Sequence, residues 1–382
     1  MEFVRIKDIN KYKSQSIDPS KSPEQIYEVY SVPSFETKTP EYLKGADIGS
    51  TKVMVEKDDV LLCKINPRIN RVWIVGEPCE YPSIASSEWI IIRAQGVLPR
   101  YLAWYFRSPK FQTMMTSEVT GIGGSLTRAQ PKRVAEYSVP LVPYDEQVHI
   151  AQIFDSLQSA ISSRLQQLAE LDNLVKAQFI EMFGTIHNNR FDYAVCTLQD
   201  VCEPIRDGTH QTPEYIDDTQ TGYKFLSSKD VTSGKIGWNH LKYIPEHLHQ
   251  ELYARIAPRK GDVLLAKNGT TGIAAVVDRD EVFDIYVSLA LLRPIEMDST
   301  YLWAAINSAE TKRQFDGSLK GIGVPNLHLS EIRKALILHP PTEKQKEFAA
   351  FVAQIDKSKV AVQAALDEAQ TLFDSLMQKY FG

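Results

Sequence analysis

The sequence predicts a mixed α/β protein written twice, each half a module followed by one long helix. Two observations predict this. Residues 147–184 align without a gap on residues 345–382, both beginning at a Gln and ending in Phe-Gly. Short markers also recur, in one order, in the segments that precede them. The chain therefore divides into a module over 1–146, a helix over 147–184, a second module over 185–344 and a second helix over 345–382. Such a plan offers two similar surfaces and stiff connectors, which suits a bipartite target such as DNA.

Within the modules, Ile6-Lys7-Asp8-Ile9 is echoed by Leu198-Gln199-Asp200-Val201. Lys57-Asp58-Asp59-Val60-Leu61-Leu62-Cys63-Lys64 matches Lys260-Gly261-Asp262-Val263-Leu264-Leu265-Ala266-Lys267. Val60-Leu61-Leu62, Glu88-Trp89-Ile90-Ile91-Ile92, Val263-Leu264-Leu265 and residues 273–277 read as strands, being short apolar runs rich in branched or aromatic residues. Tyr101-Leu102 and Tyr301-Leu302 open short helices after Pro99-Arg100 and Asp298-Ser299-Thr300, which are helix-start signals. Between these markers the modules diverge, as two readers of different half-sites on one scaffold would.

The long helices are predicted from a 3-4 spacing. It runs Phe154, Leu157, Ile161, Arg164, Leu168, Leu171, Val175, Gln178, Met182 in the first, and Val352, Ile355, Lys359, Val362, Leu366, Ala369, Phe373, Leu376, Tyr380 in the second. This is a coiled-coil seam. Neither stretch contains Pro, and Gly184 fits a helix stop. At 1.5 Å per residue, 38 residues run about 57 Å. Arg164, Gln178 and Lys359 interrupt the seam. Either they lie along its edge with their heads in water, or they fix register by disfavouring slipped pairings. Leu165, Leu174 and Phe179 widen the first apolar stripe.

Bulk properties exclude several classes. The 382 residues suffice for two ordinary domains, and the composition, 43% hydrophobic and 24% charged, is that of a globular protein. There is no apolar run of membrane length and no secretory leader, so a cytoplasmic protein is expected. Cys63, Cys79, Cys196 and Cys202 form no C-x-x-C pair, which favours free thiols over a zinc site, and His247 with His249 is a weak metal signal. The first module carries 19 basic and 18 acidic residues, a net +1; the second carries 18 and 21, a net −3. Any nucleic-acid surface is therefore a local patch, or partner chains supply much of the phosphate attraction.

Three sets of loops carry suitable donors. Lys64, Asn66, Arg68, Asn70 and Arg71 follow a strand, and Lys267, Asn268, Thr270 and Thr271 hold the matching place in the second module. Lys and Arg neutralise phosphates, while Arg and Asn can make bidentate contacts to base edges. The bland alternative for each is a solvated turn. A second set is Arg206, Thr209, His210, Gln211 and Thr212, in a polar run ended by Pro213. The third is the glycine-rich stretch 121–128, with Ser125, Thr127 and Arg128, echoed at 321–326; it contains no Walker A pattern.

These residues give the chain a resemblance to the DNA-specificity subunits of Type I restriction-modification systems. The carriers are Lys260-Gly261-Asp262-Val263-Leu264-Leu265-Ala266-Lys267-Asn268-Gly269-Thr270-Thr271-Gly272, the run Asp207-Gly208-Thr209-His210-Gln211-Thr212-Pro213, and the Pro-x-x-Glu-Gln lead-in to each helix. The lead-in is Pro143-Tyr144-Asp145-Glu146-Gln147 in the first case, while Pro341-Thr342-Glu343-Lys344-Gln345 places a Lys between Glu and Gln. The first module departs further, with Asp58 in place of Gly261 and no D-G-T-H run.

The resemblance implies two target-recognition domains, each reading half of a split double-stranded DNA site, with the helices pairing as an antiparallel coiled-coil spacer and a pseudo-twofold repeat. It implies two adenine-methyltransferase (modification) subunits using S-adenosylmethionine as partners. Two restriction/translocase subunits using ATP and Mg could join them. This chain would bind no cofactor and no metal and catalyse nothing. In keeping with that division, the sequence lacks a [DN]-P-P-[YF] motif, since Pro340-Pro341 lies between His339 and Thr342. The rival readings are a subunit of a methyltransferase-only system, a self-sufficient DNA-modifying enzyme, or a protein-binding coiled-coil scaffold.

Overall fold

The computed structural model describes residues 2–117, 119–120, 127–318 and 325–382. The chain divides into two units: Met1–Leu165 with Ala364–Gly382, and Gln166–Gln363. Each unit thus takes one module together with half of each long helix.

In the first unit the module's opening strand, Glu2–Arg5, pairs antiparallel with its closing strand, Ser138–Leu141. In the second, Ala194–Thr197 pairs with Leu336–His339 in the same way. Each module therefore begins and ends at one place, from which a long helix leaves. The inner sheets also correspond. Val60–Cys63 lies between Val72–Ile74 and Trp89–Ile92; Val263–Ala266 lies between Ala274–Val276 and Leu289–Leu292. All four residues of each central strand are buried, which is why these strands read as unbroken apolar runs.

The turn before each central strand explains the Asp58 departure. Asp58 has φ 69° and Gly261 φ 91°, both left-handed. Each backbone N–H bonds across the turn, Asp58 to Val75 O at 3.1 Å and Gly261 to Val277 O at 2.9 Å. Aspartate is among the few L-residues that enter this region readily. The turn is one structure written with two residue types.

The units differ in their second sheet. The first has five strands, built around Ile26–Tyr30 and Ser83–Ser86, which pair in parallel. The second has three, built around the parallel pair Tyr223–Leu226 and Phe283–Ile285. This is where the two halves stop resembling each other in sequence.

The long helices run Tyr144–Phe183 and Thr342–Phe381. Each starts three residues before the expected Gln. The acidic residues of the lead-in form a first helical turn, where carboxylates meet the helix dipole favourably. The Gln itself is buried and closes the junction. Gln147 accepts a hydrogen bond from Leu98 N at 2.7 Å and donates to Val142 O at 2.9 Å. Gln345 accepts from Asp298 N at 2.8 Å and donates to Pro340 O at 2.8 Å. Nearby, Tyr101 donates to Pro140 O and Tyr301 to Leu338 O.

All eighteen seam positions are shielded at least in part, while Leu165 and Leu174 beside it are 54% and 46% exposed. In the first unit Phe154 stacks on Phe381 at 5.6 Å and meets Phe373 at 5.4 Å. In the second, Phe348 meets Phe179 at 5.5 Å and Phe183 at 5.6 Å. In each unit the start of one helix lies against the end of the other, which is antiparallel pairing. Lys359, which breaks the apolar seam, pairs with Asp172 of the facing helix. The helices complete each unit's core: Phe154 and Phe381 pack with Val60, Leu62, Tyr101 and Leu102, and Phe183 and Phe348 pack with Val263, Leu265, Tyr301 and Leu302. No described helix is long and apolar enough to cross a membrane.

Candidate nucleic-acid interface

In both units the loop after the central strand is held beside the segment that closes the glycine-rich stretch. In the first, Asn66 N donates to Thr127 O at 2.8 Å and Ala129 N to Lys64 O at 2.9 Å, around an Ile65–Arg128 bridge. In the second, Leu327 N donates to Lys267 O at 2.7 Å and Gly269 N to Pro325 O at 3.1 Å, around an Asn268–Asn326 bridge. Two of the sequence-predicted loops are therefore neighbours in each unit. Ser125 and residues 321–324 lie outside the described residues.

The side chains of the first loop are unequal. Arg68 is exposed and makes no hydrogen bond or ion pair among the described residues. Lys64 donates to Ser87 O at 2.6 Å, and Arg128 faces Glu88 at 3.3 Å. Asn66 takes φ 46°, a tight turn an Asn tolerates. Asn70 donates to Phe106 O at 3.2 Å, which ties it to a helix end. Arg71 is largely buried, its Nε 3.6 Å from Glu36 and without a hydrogen bond. Thr127 is buried with its hydroxyl unpaired.

In the second unit a third loop joins the other two. Arg206–Asp207 adds a fourth strand to the inner sheet by pairing with Leu289–Leu292. This brings Asp207 to Lys267. The Lys267 ammonium lies 3.1 Å from the carboxylate, and both side chains are over 90% buried. His210 approaches Asp207 at 3.3 Å, and Arg255 donates to Asp207 O at 3.4 Å. The expectation that Lys267 is a free phosphate contact is corrected here. Its charge is turned inward, and its visible task is to hold the D-G-T-H run on the sheet. Of the candidate residues in these loops, Arg206, His210, Gln211, Thr212 and Thr270 are exposed, while Thr271 is half-buried and Thr209 buried. Asn268 is half-buried, with its side-chain carbonyl oxygen enclosed and unpaired. Arg255, on the helix Glu246–Arg255, was not read from the sequence; only the fold brings it to Asp207.

Gly208 shows why this run contains glycine. A Cβ at that position would lie 1.9 Å from Ile285 O, so the loop presses directly on a neighbouring strand. Thr209 N donates to Ile285 O at 3.2 Å and Val287 N to Thr209 O at 3.0 Å, fixing the same contact. Gly208→Ala is expected to displace the loop at a cost of about 1–3 kcal/mol. Thermal melting would check this; a variant that melts as the wild type does would show that the close contact with Ile285 does not hold the loop.

Beneath the loop, His249 Nδ1 and Asp284 Oδ2 lie 2.7 Å apart, with Tyr223 stacked on the imidazole at 3.7 Å. Burial pushes the Asp284 carboxyl up to about 6, and the His249 bond pulls the other way. His249 is thus engaged away from His247. Among the described residues no three His, Cys, Asp or Glu side chains gather as metal ligands do.

The geometry is two copies of one frame, each presenting polar loops from the same edge. Residues 1–173 and 191–369 both match the family described as Type I restriction modification DNA specificity domain. The chain belongs to this family. As a specificity chain it recognises DNA sequence through two such domains, on a mixed α/β fold with paired long helices. Its relatives include the Type I restriction enzyme MjaVIII specificity subunit of Methanocaldococcus jannaschii, 23% identical over 93% of this chain and 86% of that one. Another is the EcoBI specificity subunit of Escherichia coli, 20% identical over 79% and 69%. Among solved structures, the S subunit of a Type I system from M. genitalium has a TM-score of 0.59, with 12% identity over 100% and 96% of the two chains. A chain from a study of assembly and conformational transition of the type I R-M system has a TM-score of 0.60, with 18% identity over 100% and 97%. At these identities the structural likeness speaks for the fold.

Proposed function

We propose that each specificity domain reads one half of a split double-stranded DNA site, and that the chain carries this reading to catalytic partners. The observation that supports it is the repeated frame. The sheet, the buried Gln, the Tyr and the left-handed turn occur twice, while the exposed candidate residues of the loops differ between the copies: Arg68 and Arg128 in one, Arg206, His210, Gln211, Thr212 and Thr270 in the other. Equal frames with unequal readers suit two unlike half-sites. The partners are methyltransferase subunits, two per chain, using S-adenosylmethionine, and restriction/translocase subunits using ATP and Mg, within a cytoplasmic complex. The complex would be a Type I site-specific deoxyribonuclease and adenine-specific methyltransferase. This chain would supply the address and no reacting group.

The test is a domain exchange. Replacing residues 1–146 by another first domain should change one half of the methylated site and leave the other half untouched. Mapping methylated adenines in cells with and without the chimera reads this directly. If both halves changed together, one domain would not be reading one half.

A further inference from the structure

The first unit holds a convergence of cations around Arg71, two of which, Lys38 and Arg107, have no place in the recognition scheme above. Arg71 is largely buried, and its Nε has no hydrogen bond. Arg107 donates to Val72 O at 3.1 Å, the carbonyl of the residue next to Arg71, and lies over the Trp104 ring at 4.6 Å. Glu36 reaches Arg71 at 3.6 Å and thereby brings the 36–38 turn alongside. Lys38 sits in that turn at φ 56°, its ammonium 2.8 Å from the centre of the buried Phe35 ring. The charged groups that act on the Lys38 ammonium are two cations, Arg107 and Arg71, and one carboxylate, Glu36, whose side chain is 71% exposed.

Three cations against one carboxylate, with ring faces behind two of them and an unused donor on the third, form a site short of negative charge. Like charges held together in this way repel one another until an anion joins them. Arg71 follows the loop that carries Arg68, so the site borders the candidate interface. We propose that Lys38, Arg71 and Arg107 form a phosphate clamp that holds one backbone phosphodiester of the DNA bound by the first domain. This rests on the DNA reading above and adds positioning residues to it. Lys38 and Arg107 take part through their charge, so the clamp fixes where the duplex lies and carries no base preference.

Burial, with Arg107 adding to it, brings the Lys38 ammonium down to about 8. A phosphate beside it raises that value again. Binding therefore takes up a proton once the free protein has begun to lose one, and affinity falls as pH rises through about 8. An arginine at position 38 stays charged throughout and should lose this dependence.

The experiment uses the full chain assembled with its methyltransferase subunit, the recognised duplex and an unrelated duplex of equal length. Lys38→Gln should weaken binding to both by about five-fold near 0.15 M salt and lower the salt slope by about 0.9, with the preferred site unchanged. Lys38→Arg should keep the slope and flatten the pH 7.5–9 profile. Unchanged affinity and slope for Lys38→Gln, in a complex that still selects its site, would overturn the clamp alone. If inorganic phosphate shifts the melting of the wild type but not of Lys38→Gln while DNA binding is equal in both, the site takes free phosphate and the proposal is again overturned. A wild-type complex with no site preference at all would overturn the DNA reading, and the clamp with it.

Discussion

Lys267→Ala is expected to destabilise the second unit by about 3–5 kcal/mol, and to abolish recognition of one half-site through that loss. The reason is the partner left behind. Asp207 is over 90% buried, and Lys267 is the closest cation to it, at 3.1 Å. Arg255 lies at 3.8 Å from Oδ1 and is half exposed, and His210 is 66% exposed. Neither replaces an ammonium inside the fold. An uncompensated carboxylate would drive the Arg206–Asp207 strand off Leu289–Leu292, and the exposed Arg206, His210, Gln211 and Thr212 would move with it. Removing both charges, as in Lys267→Met with Asp207→Asn, should recover much of the stability, because the penalty belongs to the unpaired charge. A surface phosphate contact would behave otherwise: no change in melting, and a salt slope smaller by about one unit. Denaturation curves and DNA-binding salt titrations of the three variants separate the two accounts. If Lys267→Ala melts as the wild type does, the buried-pair reading fails.

This pair also shows what the sequence could convey. The loop after each central strand was legible because a buried strand is a run of apolar residues and the polar residues after it must turn outward. That Lys267 itself turns inward was not legible. Its partner lies sixty residues earlier, and only the pairing of Arg206–Asp207 with Leu289–Leu292 brings the two together. Arg255, Lys38 and Arg107 were missed for the same reason, since each acquires its neighbours from a distant element. The seam of the long helices was legible because a 3-4 period is a local signature of burial. Gln147 and Gln345 left a mark because one side chain closes the same junction twice. The antiparallel sense of the helices came from the family resemblance and not from the seam, which serves either direction. The second sheets, five-stranded and three-stranded, left no common mark. Their strands are short, and buried ones among them carry a carboxylate, Glu28 in one sheet and Asp284 in the other, that breaks the apolar run by which a buried strand is recognised.

Asp59→Ala and Asp262→Ala are expected to melt different halves of the protein, each by about 3–5 kcal/mol. The two carboxylates hold matching places. Asp59 accepts from Arg93 Nε and Nη2, both at 2.8 Å, and from Glu56 N at 2.9 Å. Asp262 accepts from Arg293 Nε at 2.7 Å and Nη2 at 2.8 Å, and from Arg259 N at 2.9 Å. Each carboxylate is essentially buried, and each ties the turn before the central strand to the residue just after Trp89–Ile92 or Leu289–Leu292. Alanine leaves the guanidinium without its bidentate partner and a backbone N–H without an acceptor, two penalties that fall on the same sheet. Because each unit has its own core, Asp262→Ala should remove hydrogen-exchange protection from Val263–Ala266 and Ser299–Ile306 while Val60–Cys63 and Pro99–Arg107 keep theirs. Asp59→Ala should give the mirror image, and the double variant should show the sum, as expected for sites without shared partners. Loss of protection in both halves from either single substitution would mean that the repeats fold as one cooperative body. The idea of two independently exchangeable readers would then have to be given up.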